Sequence, residues 1–256
     1  IAAIVQQSNW QTTDLSSLRI VTTGSSIVPH SLIEVWHDRG IPVIQVYGST
    51  ETGPVALYQR EEDAMMSVGS TGRGALHTEL RIVDDAGDDV KPGASGELLL
   101  RGPNLFKKYW KDRSASEEAF EIDWFCTGDI GYRDERGYVF INDRKTDVVI
   151  SGGENIYPAE LEQVLDRIDG IAESSVVGAT DDKWGEIPVA VVVINKKSTI
   201  TAEEILSAFD GHLARYKHPR AVSFVSALPR NVMGKVLKYE LRRAVENGTI
   251  PLSERC

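Results

Sequence analysis

An apolar run, Ile41-Pro42-Val43-Ile44, leads into Val46-Tyr47-Gly48-Ser49-Thr50-Glu51-Thr52-Gly53-Pro54, and this junction constrains the fold more than any other stretch. Such a run reads as a buried strand, and the polar, glycine-containing segment behind it as a loop. Upstream, Leu18 to Thr23 reads as another buried strand. Pro29 to Arg39 reads as a helix with Leu32, Ile33 and Trp36 on one face, ended by Gly40. Strand, helix and strand in this order make a βαβ unit, so the sheet is expected to be parallel. Ligands reach such sheets at the carboxyl ends of strands, where Gly24-Ser25-Ser26 and the Tyr47 loop both fall. The loop offers N–H groups and hydroxyls to a phosphate, a carboxylate to magnesium and an aromatic face to a base.

The texture changes twice along the chain. From about residue 67, short alternating runs (Glu79 to Val83, Glu97 to Arg101, Tyr138 to Asn142) are separated by turns such as Asp84-Asp85-Ala86-Gly87 and Lys91-Pro92-Gly93. That pattern predicts antiparallel β structure, a small barrel or sandwich. Beyond Arg144 comes a short strand, Val148 to Ile150, and a Gly152-Gly153 turn. Pro158 then opens a helix carrying Leu161, Val164, Leu165 and Ile168, ended by Gly170. Strands follow at Ser174 to Val177 and Val189 to Ile194, then a capping box at Thr201 and Glu204 starting a helix, and a last strand, Ala221 to Val225. The expected class is α/β plus α+β in three parts. Residues 1–66 form a partial parallel-sheet subdomain, 67–143 a small antiparallel β-barrel-like subdomain, and 144–256 a compact α+β domain.

Bulk properties narrow the chemistry. With 28 basic and 38 acidic residues the net charge is −10, which argues against a nucleic-acid surface and fits a cytoplasmic protein. Two cysteines, Cys126 and Cys256, make no disulfide framework, and no Cys/His cluster suggests zinc. Cys126 reads as a packing residue, and the five histidines as surface residues. The longest apolar run, Ile187 to Ile194, is too short to cross a bilayer. The opening Ile1-Ala2-Ala3-Ile4-Val5 reads as the middle of a helix, so the chain is expected to be a fragment.

Three further segments carry chemistry: Thr127-Gly128-Asp129, Asp143-Arg144 through Pro158, and Pro229 through Lys235. Alone, Thr-Gly-Asp is only a turn, and Gly24-Ser25-Ser26 needs no ligand. The Gly234-Lys235 pair is not a phosphate-binding P-loop, because no glycine stands five positions before Gly234 and Val236 replaces the required Ser or Thr. Together with the Tyr47 loop, these segments resemble the adenylate-forming superfamily of acyl-CoA synthetases, peptide-synthetase adenylation domains and luciferases, most closely the acyl-CoA synthetase branch.

The resemblance implies a site. Tyr47, with Gly48 and Ser49, would stack on and cradle the adenosine, Thr50 would bond the α-phosphate, and Glu51 would hold magnesium. Gly24, Ser25 and Ser26 would line the adenine and acyl pockets. Asp129 would accept the two ribose hydroxyls, which a bidentate carboxylate suits. Arg144 would contact ribose and phosphate, Ser151, Gly152 and Gly153 would line the coenzyme A channel, and Lys235 would neutralise the charge growing as acyl-AMP forms. The hinge position falls on Thr146, where many relatives carry Asp or Lys. Glu154 and Glu160 read as first-turn helix and surface acids.

The implied reaction joins a carboxylic acid, leaning towards a fatty acid, to coenzyme A at the expense of ATP. Its alternatives are a carrier-protein-loading adenylation domain and a non-catalytic nucleotide-binding remnant. The family's upstream phosphate-binding loop has no counterpart here, so this polypeptide alone is expected to be inactive.

Overall fold

The computed structural model describes residues 1–24, 28–232 and 234–255. Its chain divides into two compact units, Ile1–Ile141 and Asn142–Cys256. Among the described residues no helix is long and apolar enough to cross a membrane.

The first unit begins with α1 (Ala2–Val5), β1 (Val21–Thr23), α2 (His30–His37) and β2 (Val43–Tyr47). β1 and β2 pair in parallel, with Val21 opposite Val43. α2 buries Ile33 and Trp36 against Val28, Ile41 and Val43, and the Trp36 ring meets Trp10 edge-on at 4.7 Å. β3 (Leu57–Tyr58) and β4 (Arg73–Gly74), with α3 (Glu61–Ala64) between them, extend this sheet antiparallel to the order β1-β2-β3-β4. Buried amides fix the return: Gln45 N–H donates to Gln59 Oε1 at 3.0 Å, and Gln59 Nε2 donates to the Ser67 carbonyl at 2.7 Å. Unpaired, these groups would carry a desolvation penalty in so dry a place.

The second sheet is antiparallel and five-stranded. β5 (Glu79–Val83) pairs β6 (Gly96–Arg101), and β6 pairs β8 (Trp124–Arg133). α4 (Arg113–Glu118) and β7 (Phe120–Glu121) precede β8, which also pairs β7 and β9 (Val139–Arg144). Its core joins Ile82, Leu98, Leu100 and Val139 to Ala56 and Leu57 beside the Tyr47 loop. Thr127-Gly128-Asp129 is not a turn. It lies inside the ten-residue β8, at a register shift against β6 where Gly128 has φ 69°. A bulge has the same glycine chemistry as a turn but leaves the strand running through it.

In the second unit β10 (Val149–Ser151) and β11 (Glu154–Ile156) form a hairpin before α5 (Pro158–Leu165). β12 (Ile171–Asp181) and β13 (Gly185–Ile194) pair along nearly their whole length. After α6 (Ala202–Ser207), β14 (Ala221–Phe224) joins β13 in parallel. α7 (Lys238–Glu246) and β15 (Ser253–Arg255) complete the unit, β15 lying antiparallel on the outer edge of β14. Alternate residues serve opposite faces. Val176, Ala190, Val192 and Val222 pack under Leu161 and Leu165 of α5 and Ile205 of α6. Val177, Val189, Val191 and Ala221 face Leu241 and Val245 of α7. β12 and β13 run past the strands the sequence suggests because their pairing continues through partly exposed residues to the turn that joins them.

Among the described residues His77, Lys111 and Ile122 have left-handed backbone without being glycine. The two-residue hairpin loop between β7 and β8 puts Ile122 at φ 57°, with its side chain 90% exposed. The left-handed region costs a residue with a Cβ about 1–2 kcal/mol, and this position favours glycine. Ile122→Gly is therefore expected to raise the stability of the chain by about 0.5–1 kcal/mol, after glycine's own entropic cost. Urea unfolding of both proteins measures it.

Candidate functional site

Tyr47 ends β2 at its carboxyl end, and the chain turns sharply behind it. A Cβ on Gly48 would lie 2.0 Å from the Pro54 carbonyl oxygen, so only glycine lets the two arms of the loop approach. Ser49 N–H donates to Thr52 Oγ1 at 2.7 Å, closing a single 3₁₀ turn over Thr50–Thr52. Thr50 is exposed there and Glu51 half-buried.

Asp129 reaches the same place from the second sheet. The Tyr47 hydroxyl donates to Asp129 Oδ2 at 2.5 Å, in the range of a charge-assisted bond. Asp129 is 8% exposed, and its N–H donates to Thr127 Oγ1 at 3.1 Å. Thr127 Oγ1 in turn donates to the Leu98 carbonyl at 2.8 Å, pinning the bulge to β6. The structure thus brings together the ring and the carboxylate that the sequence keeps 82 residues apart. Gly24 follows β1, whereas Ser25 and Ser26 lie outside the described residues.

Glu51 has a partner that sequence reasoning missed. The Tyr109 hydroxyl donates to Glu51 Oε1 at 3.1 Å, and burial, then this bond, pushes the Tyr109 phenol above its ordinary range. Among the described residues no three His, Cys, Asp or Glu side chains cluster as a metal cage. A lone carboxylate still suits magnesium, which keeps several waters and draws other ligands from nucleotide phosphates.

The second unit holds the other candidates. Arg144 is exposed at the end of β9, next to Asp143, which is 6% exposed. Asp143 Oδ1 accepts from Arg144 N–H at 2.9 Å, and Oδ2 accepts from Ala159 N–H at 3.0 Å in the first turn of α5. Lys238 opens α7 and sets its ammonium 3.6 Å from Asp143 and 3.0 Å from Glu162. Burial alone would depress the Lys238 pKa, but the charges of Glu162, Asp143 and Asp147 outweigh it and raise the value. Burial pushes the Asp147 carboxyl up, against the pull of Lys238. A cavity of about 140 Å³ beside this cluster is lined by Thr146, Asp147, Gly178, Lys238, Tyr239 and Arg242.

Ser151 ends β10, and Gly152 and Gly153 make the hairpin with φ 61° and 87°. The chain continues into β11 rather than straight into a helix, so Glu154 is a strand residue, correcting the first-turn expectation. Glu160 does lie in the first turn of α5, where it pairs with Lys217 at 2.5 Å. Gly152 N–H donates to the Trp184 carbonyl at 2.8 Å, and a Cβ there would stand 2.9 Å from the Trp184 ring.

Lys235 is exposed on a tight hairpin. Lys235 N–H donates to Asn231 Oδ1 at 3.0 Å, and Asn231 N–H to the Lys235 carbonyl at 2.9 Å. Arg230 braces the hairpin, donating to the Gly234 carbonyl at 2.6 Å and pairing with Glu173 at 2.7 Å. The helix behind it starts at Lys238, two residues later than Val236.

The histidine expectation needs correction. His77 and His212 are exposed, but His30, His37 and His218 are half-buried. His37 Nε2 accepts from Val43 N–H at 3.2 Å, and burial lowers its pKa.

Against known proteins, the family model for AMP-binding enzymes matches residues 1–110, and the model for the AMP-binding enzyme C-terminal domain matches residues 160–235. An indoleacetate–CoA ligase of Aromatoleum aromaticum is 50% identical over 246 residues, 96% of this chain and 48% of that protein. A 2-succinylbenzoate–CoA ligase of Bacillus cereus is 45% identical over 231 residues, 90% of this chain and 47% of that protein. Among solved structures, an anthranilate CoA ligase in complex with anthranoyl-AMP superposes with a TM-score of 0.87 at 29% identity, covering 97% of this chain and 48% of its own. The o-succinylbenzoate CoA synthetase of Bacillus subtilis with its acyl-adenylate intermediate gives 0.85 at 37% identity, covering 94% and 49%. The chain spans about half the length of the curated relatives it matches.

The Lys238 cluster makes a structural prediction. Lys238→Met leaves Asp143 and Glu162 without their shared cation and is expected to cost about 3 kcal/mol. Lys238→Arg should recover most of that loss, as equilibrium unfolding in urea would measure.

Proposed function

Because this chain belongs to the AMP-binding enzyme family, we propose that it is part of an ATP-dependent, AMP-forming CoA ligase and carries its adenosine grip and its catalytic lysine. The observation that carries this reading is the hydrogen bond from Tyr47 to Asp129 at the carboxyl end of β2. It sets an aromatic face for adenine beside a carboxylate for the ribose diol, the two contacts that define an adenosine.

The chemistry then runs in two steps. A carboxylate oxygen of the acid attacks the α-phosphorus, an acyl-phosphate bond forms and pyrophosphate leaves. Thr50 bonds the α-phosphate oxygen, and Lys235 neutralises the negative charge gathering between carboxylate and phosphate. Glu51 would hold magnesium, which when bound would offset the charge of the phosphates. The coenzyme A thiol, losing its proton to solvent, next attacks the acyl carbon, so that the thioester bond forms as the acyl–oxygen bond to AMP breaks and AMP leaves. The Ser151-Gly152-Gly153 hairpin serves this second step, since a thin pantetheine arm passes where no side chain intrudes. Arg144 contributes to the grip on the ribose and phosphate.

For the acid, the relatives give no support to a fatty chain. Indoleacetate, 2-succinylbenzoate and anthranilate, the acids in their names, favour an aryl or arylalkyl carboxylate. In a panel of acids offered to the whole protein, aryl acids are expected to give the largest kcat/KM for pyrophosphate release, and a preference for long-chain fatty acids would overturn this choice. The division of labour has its own test. Lys235→Ala is expected to slow acyl-AMP formation by a factor of about 100 or more. Thioester formation from supplied acyl-AMP should be nearly unchanged, and equal losses in both half-reactions would refute the assignment.

A further inference from the structure

Glu51 is held from a side that the local sequence does not reveal. The segment between β6 and α4 runs beside the 3₁₀ turn and bonds to two consecutive residues of it. Asn104 Nδ2 donates to the Thr52 carbonyl at 2.7 Å, Phe106 N–H donates to the Glu51 carbonyl at 2.8 Å, and the Tyr109 hydroxyl donates to Glu51 Oε1 at 3.1 Å. Backbone and carboxylate of one residue are therefore fixed by the same short stretch. Tyr109 is itself anchored. Its N–H donates to Ser116 Oγ in α4 at 2.9 Å, and its ring lies 4.8 Å from Phe106, which stacks on Phe120 at 5.3 Å.

We propose that Tyr109 is a positioning residue: its hydroxyl fixes the orientation of the Glu51 carboxylate toward a divalent cation carried in by the nucleotide. The proposal rests on the reading of Glu51 given above. A glutamate side chain loses freedom when it takes a metal, and a hydrogen bond that already holds it in place lowers that cost. Tyr109 needs no contact with metal or substrate for this, because it acts through Glu51.

The test uses Tyr109→Phe in the whole protein, which keeps the ring against Phe106 and removes only the hydroxyl. Manganese serves as the probe, with free ion counted by electron paramagnetic resonance in the presence of a non-hydrolysable ATP analogue. Affinity for manganese is expected to fall about tenfold, with thermal midpoint and metal-free AMP affinity unchanged. In a Glu51→Gln background the same change should cost nothing further. An unchanged manganese affinity, or an undiminished loss in the Glu51→Gln background, overturns the proposal. So does a parallel fall in thermal midpoint and AMP affinity, which would mark a packing role. If the unsubstituted protein binds AMP but no metal–nucleotide, the role of Glu51 fails and this proposal with it. If it binds no AMP, the function itself fails.

Discussion

The Tyr47–Asp129 hydrogen bond joins two sheets of different kinds. Tyr47 closes a parallel strand fixed by α2 packing, and Asp129 sits on a bulge of an antiparallel strand fixed by Thr127 and Leu98. Neither residue would be well placed by its own sheet alone. A buried carboxylate is costly without a donor, so the contact that orients Asp129 also relieves its desolvation. The Tyr47 loop depends on the same junction, since Ala56 and Leu57, just beyond it, pack into the core of the second sheet.

The second unit solves a different problem. Its sheet is covered on both faces, so the helices around it must meet in dry places, and charge collects where α5 and α7 approach the end of β9. One lysine serves two carboxylates there, and one of those, Glu162, also accepts from Val176 N–H at 2.8 Å. Lys238 stands three residues beyond Lys235, so the cation of the buried cluster is close in sequence to the one proposed for chemistry.

Much of this could be read from residue order, and the failures have physical causes. The βαβ unit, the α5 and α6 faces and the Thr201–Glu204 capping box follow from periodicity and caps, which are local. β12 and β13 run longer than expected because their pairing continues to the joining turn through Gly178, Asp181, Gly185, Glu186 and Pro188, which interrupt the apolar run that marks a strand. Thr127-Gly128-Asp129 passed for a turn because a bulge and a turn call on glycine for the same backbone freedom. Tyr109 was invisible because nothing near it points to Glu51, 58 residues away. The lean towards a fatty acid finds no support among the relatives, and no motif in the sequence is assigned to the far end of the acid.

The strand Ser253–Arg255 pairs with Ala221 and Val222 on the outer rim of β14, which otherwise would end the sheet with an open row of amide and carbonyl groups. Such a rim is a ready template for a strand from another molecule. These three residues occupy part of that row, so the edge is closed there to a strand from another molecule. Trimming them would leave the apolar interior intact and change how the molecules behave towards one another in concentrated solution.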